Sequence, residues 1–180
     1  MTDKISQGFA LFQNTSRGLY DELRHYPERE RRWTSAMSAI ALQNDFDFIL
    51  ESFDWNSYPN ALIVDVGGGC GTISEGLALR LPGRNFIVQD SDETLSHSVI
   101  VPDVEDRVSF MAHEFFQEQL VRGAEIYYFR NVFHNWPDED CIRILRNLIP
   151  ALTPGAHIII DDIGLQEPLT LPPYRERQQR

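Results

Sequence analysis

Cysteine is nearly missing from this chain. Its 180 residues contain two, Cys70 and Cys141, with no metal-type spacing between them. A disulfide framework is therefore not expected, and a reducing compartment fits best. Positive charge is also scarce: 16 Lys and Arg stand against 27 Asp and Glu, for a formal net charge of -11. Nucleic acid and anionic membrane surfaces both need clustered positive charge, so neither is expected as a partner. No apolar run of about 20 residues is present, which argues against a spanning helix. Met1-Thr2-Asp3-Lys4 leads into no apolar signal core, so a cytoplasmic setting is expected. No internal repeat or low-complexity segment stands out.

What is present has the balance of a globular protein, 42% hydrophobic and 24% charged, and is long enough for one domain with a sizeable core. The chain is organised around Leu62-Ile63-Val64-Asp65-Val66-Gly67-Gly68-Gly69-Cys70-Gly71. An apolar strand runs straight into a glycine turn, where residues without a Cβ let backbone N–H groups approach a ligand. From Ala61 onward, strands alternate with helices. The expected strands are Ala61 to Val66, Asn85 to Gln89, Arg107 to Met111, Glu125 to Phe129 and Ala156 to Asp161. Helices are expected at Thr72 to Leu81, Glu93 to Ser98 and Asp138 to Ile149, with a short helical or turn segment at Phe116 to Val121. In the helix at Asp138, Cys141, Leu145, Leu148 and Leu152 share a stripe, and Pro150 should end it early.

This alternation predicts an α/β fold with a doubly wound parallel sheet. Right-handed crossovers then place ligands at the carboxyl ends of the strands. The residues brought there are the glycine turn, Asp90, His113-Glu114, Arg130 to His134, and Asp161-Asp162. Ahead of the sheet, residues 8 to 58 read as helical. Phe9, Phe12, Leu19, Tyr20 and Leu23 form one apolar face, interrupted at Tyr26-Pro27. A second helix begins near Pro27, with Trp33, Ala36, Met37 and Ile40 at helical spacing. A third runs from Asp45 to Phe53.

The glycine turn is a nucleotide-site signal, but a dinucleotide fingerprint would read G-x-G-x-x-G/A, and Thr72 falls on its third position. Asp65, two residues before the first glycine, would repel a pyrophosphate and suits a cationic head, directly or through water. Asp90 follows the turn by about 20 residues, where a carboxylate accepts hydrogen bonds from ribose hydroxyls. His134 lies just past strand four at the ligand edge. A carboxylate on the neighbouring strand end would fix its tautomer; Asp161 and Asp162 point to opposite faces and the residues alone do not choose between them. Trp136 and Phe133 either line an aromatic pocket or pack, and Trp33 and Met37 either cover that pocket or belong to the core. His25, His97, His113 and His157 have no catalytic context, and Cys70 and Cys141 read as packing residues.

Val64-Asp65-Val66-Gly67-Gly68-Gly69-Cys70-Gly71, Val88-Gln89-Asp90, Glu114-Phe115-Phe116 and Phe129-Arg130-Asn131-Val132-Phe133-His134-Asn135-Trp136-Pro137-Asp138-Glu139-Asp140-Cys141 together resemble the motif series of S-adenosylmethionine-dependent O-methyltransferases. The similarity is to the caffeate-type family and its fungal secondary-metabolism relatives. It implies a class I methyltransferase-like sheet in the order 3-2-1-4-5, with S-adenosyl-L-methionine as cofactor and a small-molecule hydroxyl as acceptor. By the same resemblance, Gly67 and Gly68 contact the cofactor's amino-acid part and Asp90 the ribose. Glu114 and Phe115 flank the adenine, with Glu114 standing where the family usually has Asp. Arg130 is a further cofactor contact, His134 the catalytic base and Asp162 the acid that orients it. The chain divides into a helical N-terminal segment over residues 1–60, the cofactor-binding domain over 61–168 and a tail over 169–180.

Against the family pattern, most of an N-terminal dimerisation domain and the last helix and two strands are missing, so the chain reads as truncated at both ends. Asn135 replaces the aspartate that usually follows the histidine. Strand five would then be a sheet edge, open to pairing with another chain, as a homodimer or otherwise. Two functions follow as expectations: an O-methyltransferase acting on an aromatic or polyketide-like metabolite, or an impaired relative that binds cofactor or a partner without turnover. A nicotinamide-dependent oxidoreductase on the same topology is a third, opposed by Thr72.

Overall fold

The computed structural model describes residues 8–41 and 46–162. Asp45 and the tail over 169–180 lie outside the described residues. Four helices come first: α1 (Gly8–Gln13), α2 (Leu19–His25), α3 (Pro27–Ala41) and α4 (Phe46–Glu51). Then follow β1 (Leu62–Val66), α5 (Thr72–Arg80), β2 (Asn85–Asp90), α6 (Asp92–Leu95), β3 (Val108–Ala112), β4 (Ile126–Arg130), α7 (Asp138–Leu148) and β5 (His157–Asp161). The five strands form one sheet in the order β3-β2-β1-β4-β5, and every pair is parallel. This is the expected topology. It reverses direction between β1 and β4, which opens a crevice at their carboxyl ends.

Strand alternation divides the core in two. Ile63, Phe86, Val88, Val108, Ile126 and Tyr128 face α5, where Ile73, Leu77 and Leu81 meet them, with Trp55 and Ile49 at the margin. Val64, Val66, Tyr127 and Phe129 face α7 and pack on Ile144 and Leu148. Both faces of the central strands are covered, which is why β1 and β4 read as almost continuous apolar runs.

Within the second layer lies a polar pair. Gln89 and Gln119 are both buried and exchange amide hydrogen bonds, Gln89 Nε2 to Gln119 Oε1 at 2.9 Å and Gln119 Nε2 to Gln89 Oε1 at 2.8 Å. Gln119 Oε1 also accepts the Val121 N–H at 2.9 Å.

Two helices turn differently from the expected faces. In α3 the stripe Trp33, Ala36, Met37 and Ile40 was the expected contact surface, yet Met37 is 39% and Ile40 55% exposed, while Thr34 is buried. The face that packs carries Glu30, Thr34 and Ser38. Glu30 meets His97 at 3.5 Å, so this face finds polar partners rather than apolar ones, and complementarity overrides the apolar period. In α7 the buried positions are Ile144 and Leu148, with Leu145 only half-buried. The helix stops at Leu148 and tightens into a 3-10 turn over Ile149–Ala151, the stop that Pro150 imposes. That turn buries Ala151 in the core, with Leu152 packed at its margin.

β3 and β5 are the edge strands among the described residues. On β5, Ile158 and Ile160 are 40% and 51% exposed, whereas Ile159 packs against the α5 side. No helix among the described residues is long and apolar enough to cross a membrane.

The N-terminal helices are held to the sheet domain at a close contact. A Cβ at Gly76 of α5 would lie 2.3 Å from Phe46 Cζ, so the α4 ring sits directly on the α5 backbone, with the Arg80 guanidinium 4.3 Å over the same ring. Gly76→Ala should therefore destabilise the protein by about 1–3 kcal/mol, overpacking outweighing the gain of about 1 kcal/mol in helix propensity. Urea denaturation checks this; a stabilised variant would show that α4 is not seated on Gly76.

Candidate functional site

The site starts from the turn after β1. Gly67 and Gly71 have φ of +76° and +84°, the left-handed region that side chains resist. A Cβ at Gly71 would in addition lie 2.7 Å from the Phe110 ring. The Gly67 and Gly68 N–H groups both donate to the Gln89 carbonyl, at 2.8 and 3.1 Å. The Gly69 N–H donates to Asp90 Oδ2 at 2.9 Å, and Asp90 Oδ1 accepts the Ser91 N–H at 2.8 Å. Asp90 is thus fixed to the turn by two backbone donors. Burial raises its pKa, and those donors oppose the rise.

Asp65 lies beneath the turn. A Cβ at Gly68 would come within 2.6 Å of its carboxylate, so glycine is what permits this approach. Asp65 is 1% exposed and accepts the Ser74 hydroxyl at 2.6 Å, while Oδ1 has no partner. Burial pushes its pKa up to about 6, and the Ser74 bond opposes the shift. An unsatisfied, buried carboxylate oxygen under a glycine turn fits a cationic ligand head, and Asp90 fits a ribose diol. The residues present therefore suit S-adenosylmethionine.

At the end of β3, Glu114 lies 3.9 Å from the Arg24 guanidinium of α2. Phe115 Cε1 is 3.5 Å from the position a Gly67 Cβ would take. Its ring meets Trp136 edge-on at 5.7 Å, and Trp136 in turn stacks on Tyr20 at 5.8 Å. Trp136 is therefore a packing residue that ties α2 to the carboxyl edge of the sheet. Burial, and then the Asp90 charge, push the Tyr20 pKa up to about 12, which keeps the phenol neutral beside Asp90. Sequence reasoning placed Tyr20 only on an apolar face, and Arg24 gave no signal at all. Both reach the site through a tertiary contact that has no local pattern.

The two acids at the end of β5 separate as strand alternation requires. Asp162 Oδ1 accepts His134 Nδ1–H at 2.6 Å, and Asp162 Oδ2 accepts the His134 backbone N–H at 3.1 Å. Asp161 turns the other way, taking the Tyr128 hydroxyl at 2.7 Å and an ion pair from Arg130. Arg130 is therefore committed to Asp161 at the sheet edge. Burial raises the Tyr128 pKa, so that hydroxyl stays a donor.

The other histidines stand apart. His25 meets Tyr26 edge-on at 5.0 Å, His97 faces Glu30, and His157 bonds the Tyr58 hydroxyl. His113 is buried with Nε2 unpartnered, and burial lowers its pKa, favouring the neutral ring. The Cys70 thiol points to the Thr94 carbonyl at 3.7 Å, and the Cys141 thiol to those of Phe133 and Trp136 at 3.6 and 3.4 Å. No group of three or more His, Cys, Asp or Glu able to hold a metal occurs among the described residues.

A parallel sheet ordered in this way, with its acids and its histidine gathered on the carboxyl side, defines a Rossmann-like protein of the class I methyltransferase type. The chain belongs to the O-methyltransferase domain family, which matches residues 3–171. It is 41% identical over 182 residues to the grayanic acid biosynthesis cluster O-methyltransferase of Cladonia grayi, covering 98% of this chain and 40% of that protein. It is 36% identical over 184 residues to the O-methyltransferase gsfB of Penicillium aethiopicum, covering 99% of this chain and 43% of the relative. Among solved structures, OxaC in complex with S-adenosylhomocysteine and oxaline superposes with a TM-score of 0.70 at 28% identity, over 84% of this chain and 40% of that one. The chain spans about 40% of the length of the curated relatives it matches.

Asp65 gives a prediction with a defined sign. Its folded pKa of about 6 lies above the usual carboxylate value of about 3.9, so the folded state holds a proton that the unfolded state has released. Stability then falls as pH rises from about 4 to about 6. Asp65→Asn should unfold about 5–10 °C above wild type at pH 7.5, with the gap closing below pH 4. Thermal melts across that range decide it; a gap independent of pH would mean that Asp65 is not a buried charge.

Proposed function

We propose that this site binds S-adenosyl-L-methionine and transfers its methyl group to a hydroxyl of a small aromatic or polyketide-like metabolite. The observation that carries the reading is the His134–Asp162 pair, held at 2.6 Å on the same sheet edge as the glycine turn and Asp90. The curated relatives are O-methyltransferases, and OxaC holds S-adenosylhomocysteine in a fold of this type.

Gly67 and Gly68 would approach the amino-acid part of the cofactor over the Asp65 carboxylate. Asp90 would accept from the ribose hydroxyls, and Glu114 and Phe115 would flank the adenine. Arg130 would contribute charge from the rim, with Asp161 holding its guanidinium in place. When bound, S-adenosylmethionine supplies a methyl group on a sulfonium, a leaving group that needs no protonation. The protein must then align the acceptor and take its proton. Asp162 accepts the Nδ1 proton, which leaves Nε2 as the basic nitrogen of His134. A phenol near pKa 10 loses its proton to a positioned imidazole at neutral pH, and the Asp162 charge favours the imidazolium that forms. Alignment accounts for much of the remaining acceleration.

Residues 61–168 would form the cofactor-binding unit and residues 1–60 its helical flank. The acidic composition supports a small-molecule partner over a nucleic acid, and the scarcity of cysteine supports a cytoplasmic setting. The β5 edge, open among the described residues, supports pairing with a further chain, as a homodimer or otherwise.

Titration calorimetry with S-adenosylmethionine and with NAD tests the cofactor, the expected result being heat from the first alone. For the chemistry, His134→Ala should lower methyl transfer to a phenol panel by about 10²–10⁴-fold while leaving cofactor affinity unchanged. Equal turnover in both proteins would refute the base. Cofactor binding without turnover in wild type would favour the impaired-relative reading.

A further inference from the structure

His134 is the exposed residue of a 3-10 turn, Phe133–Asn135, shortly after β4. A general base in such a turn needs its backbone held as well as its ring. The turn is tied down by residues that never touch the imidazole. β4 and β5 pair in register to their ends, with Arg130 opposite Asp161. One residue further, the Asn131 N–H donates to the Asp161 carbonyl at 3.0 Å. Asn131 then takes φ of +53°, a left-handed conformation that turns the chain out of the sheet. Asn135 reaches back across that turn, its Nδ2 donating to the Asn131 carbonyl at 3.1 Å.

On the other strand, Asp161 is locked by its side chain. The buried Tyr128 hydroxyl donates to Oδ2 at 2.7 Å, and Arg130 pairs with the same oxygen. Asp162, the next residue, carries the carboxylate that holds both His134 Nδ1–H and the His134 backbone N–H. The orientation of Asp162 is therefore inherited from Asp161, and that of His134 from Asn131.

We propose that Tyr128, Asp161 and Asn135 are positioning residues for His134. Tyr128 and Asp161 set the end of β5 that presents Asp162, and Asn135 closes the turn that presents the imidazole. The Asn135 role requires a donor. An aspartate there would set a carboxylate against the Asn131 carbonyl, so the amide is matched to this turn. The inference rests on the reading of His134 as the base.

Two charge-neutral variants test it, Tyr128→Phe and Asn135→Ala. Neither removes His134 or Asp162, and Asn135 lies outside both core layers. The primary readout is the tautomer of the His134 ring in unliganded protein, read from long-range ¹⁵N–¹H spectra at a pH where the imidazole is neutral. Wild type should hold the Nδ1–H form that donates to Asp162. Each variant should raise the Nε2–H share several-fold, as Asp162→Asn should. In turnover, each should lower kcat by about ten-fold at unchanged KM for S-adenosylmethionine, the result of a sub-ångström misplacement of the base. A ring held to Nδ1–H as firmly in both variants as in wild type would overturn the proposal, as would a wild-type ring already divided between the two forms. If wild type holds the Nδ1–H form, the variants release it and no protein turns over, the positioning role stands and the methyl-transfer reading falls.

Discussion

The site depends on a carboxylate that the fold buries without fully satisfying. Asp65 stands among the apolar residues of β1, with one oxygen bonded to Ser74 and the other without a partner beneath Gly68. A charge in that position costs several kcal/mol unless something compensates for it. The glycine sequence follows from this constraint, because a side chain at residue 68 would collide with the carboxylate. Ser74 at the start of α5 and the charge of Arg130 on β4 both act to favour the ionised form. The glycine turn, the start of α5 and the end of β4 are thus arranged about one acid.

Much of this was legible in the sequence because it is written in local pattern. The parallel doubly wound sheet, the turn at Gly67 and the place of Asp90 at the end of β2 follow from alternation and spacing, and the strand order from the resemblance of the motifs. The acids at the end of β5 show the limit of such reasoning. Alternation alone separates Asp161 from Asp162 but does not say which faces His134. That required the Tyr128 hydroxyl and the Arg130 guanidinium on the α5 side, which claim Asp161.

The helices before the sheet were harder to read. An apolar period in α3 predicted the wrong face, because that helix buries Thr34 and turns Glu30 toward His97. Arg24 and Tyr20 reach Glu114 and Trp136 across 90 and 116 residues of sequence. Contacts of that separation leave no trace in periodicity, since the matching groups lie on elements whose relative placement only the tertiary fold decides.

The Gln89–Gln119 pair has a consequence for how the chain finds its register. The Gln89 carbonyl holds two N–H groups of the glycine turn, while its side chain is matched to a single distant amide. Sliding β2 by one residue would turn this side chain to the opposite layer, where the fit with Gln119 is lost. A buried amide without its mate costs about 1–3 kcal/mol, a penalty that an apolar residue at the same position would not impose. The pair therefore acts as a proofreader: it adds little to the correct sheet but makes the misaligned one unfavourable, so the turn and the acid that follows it arrive in step.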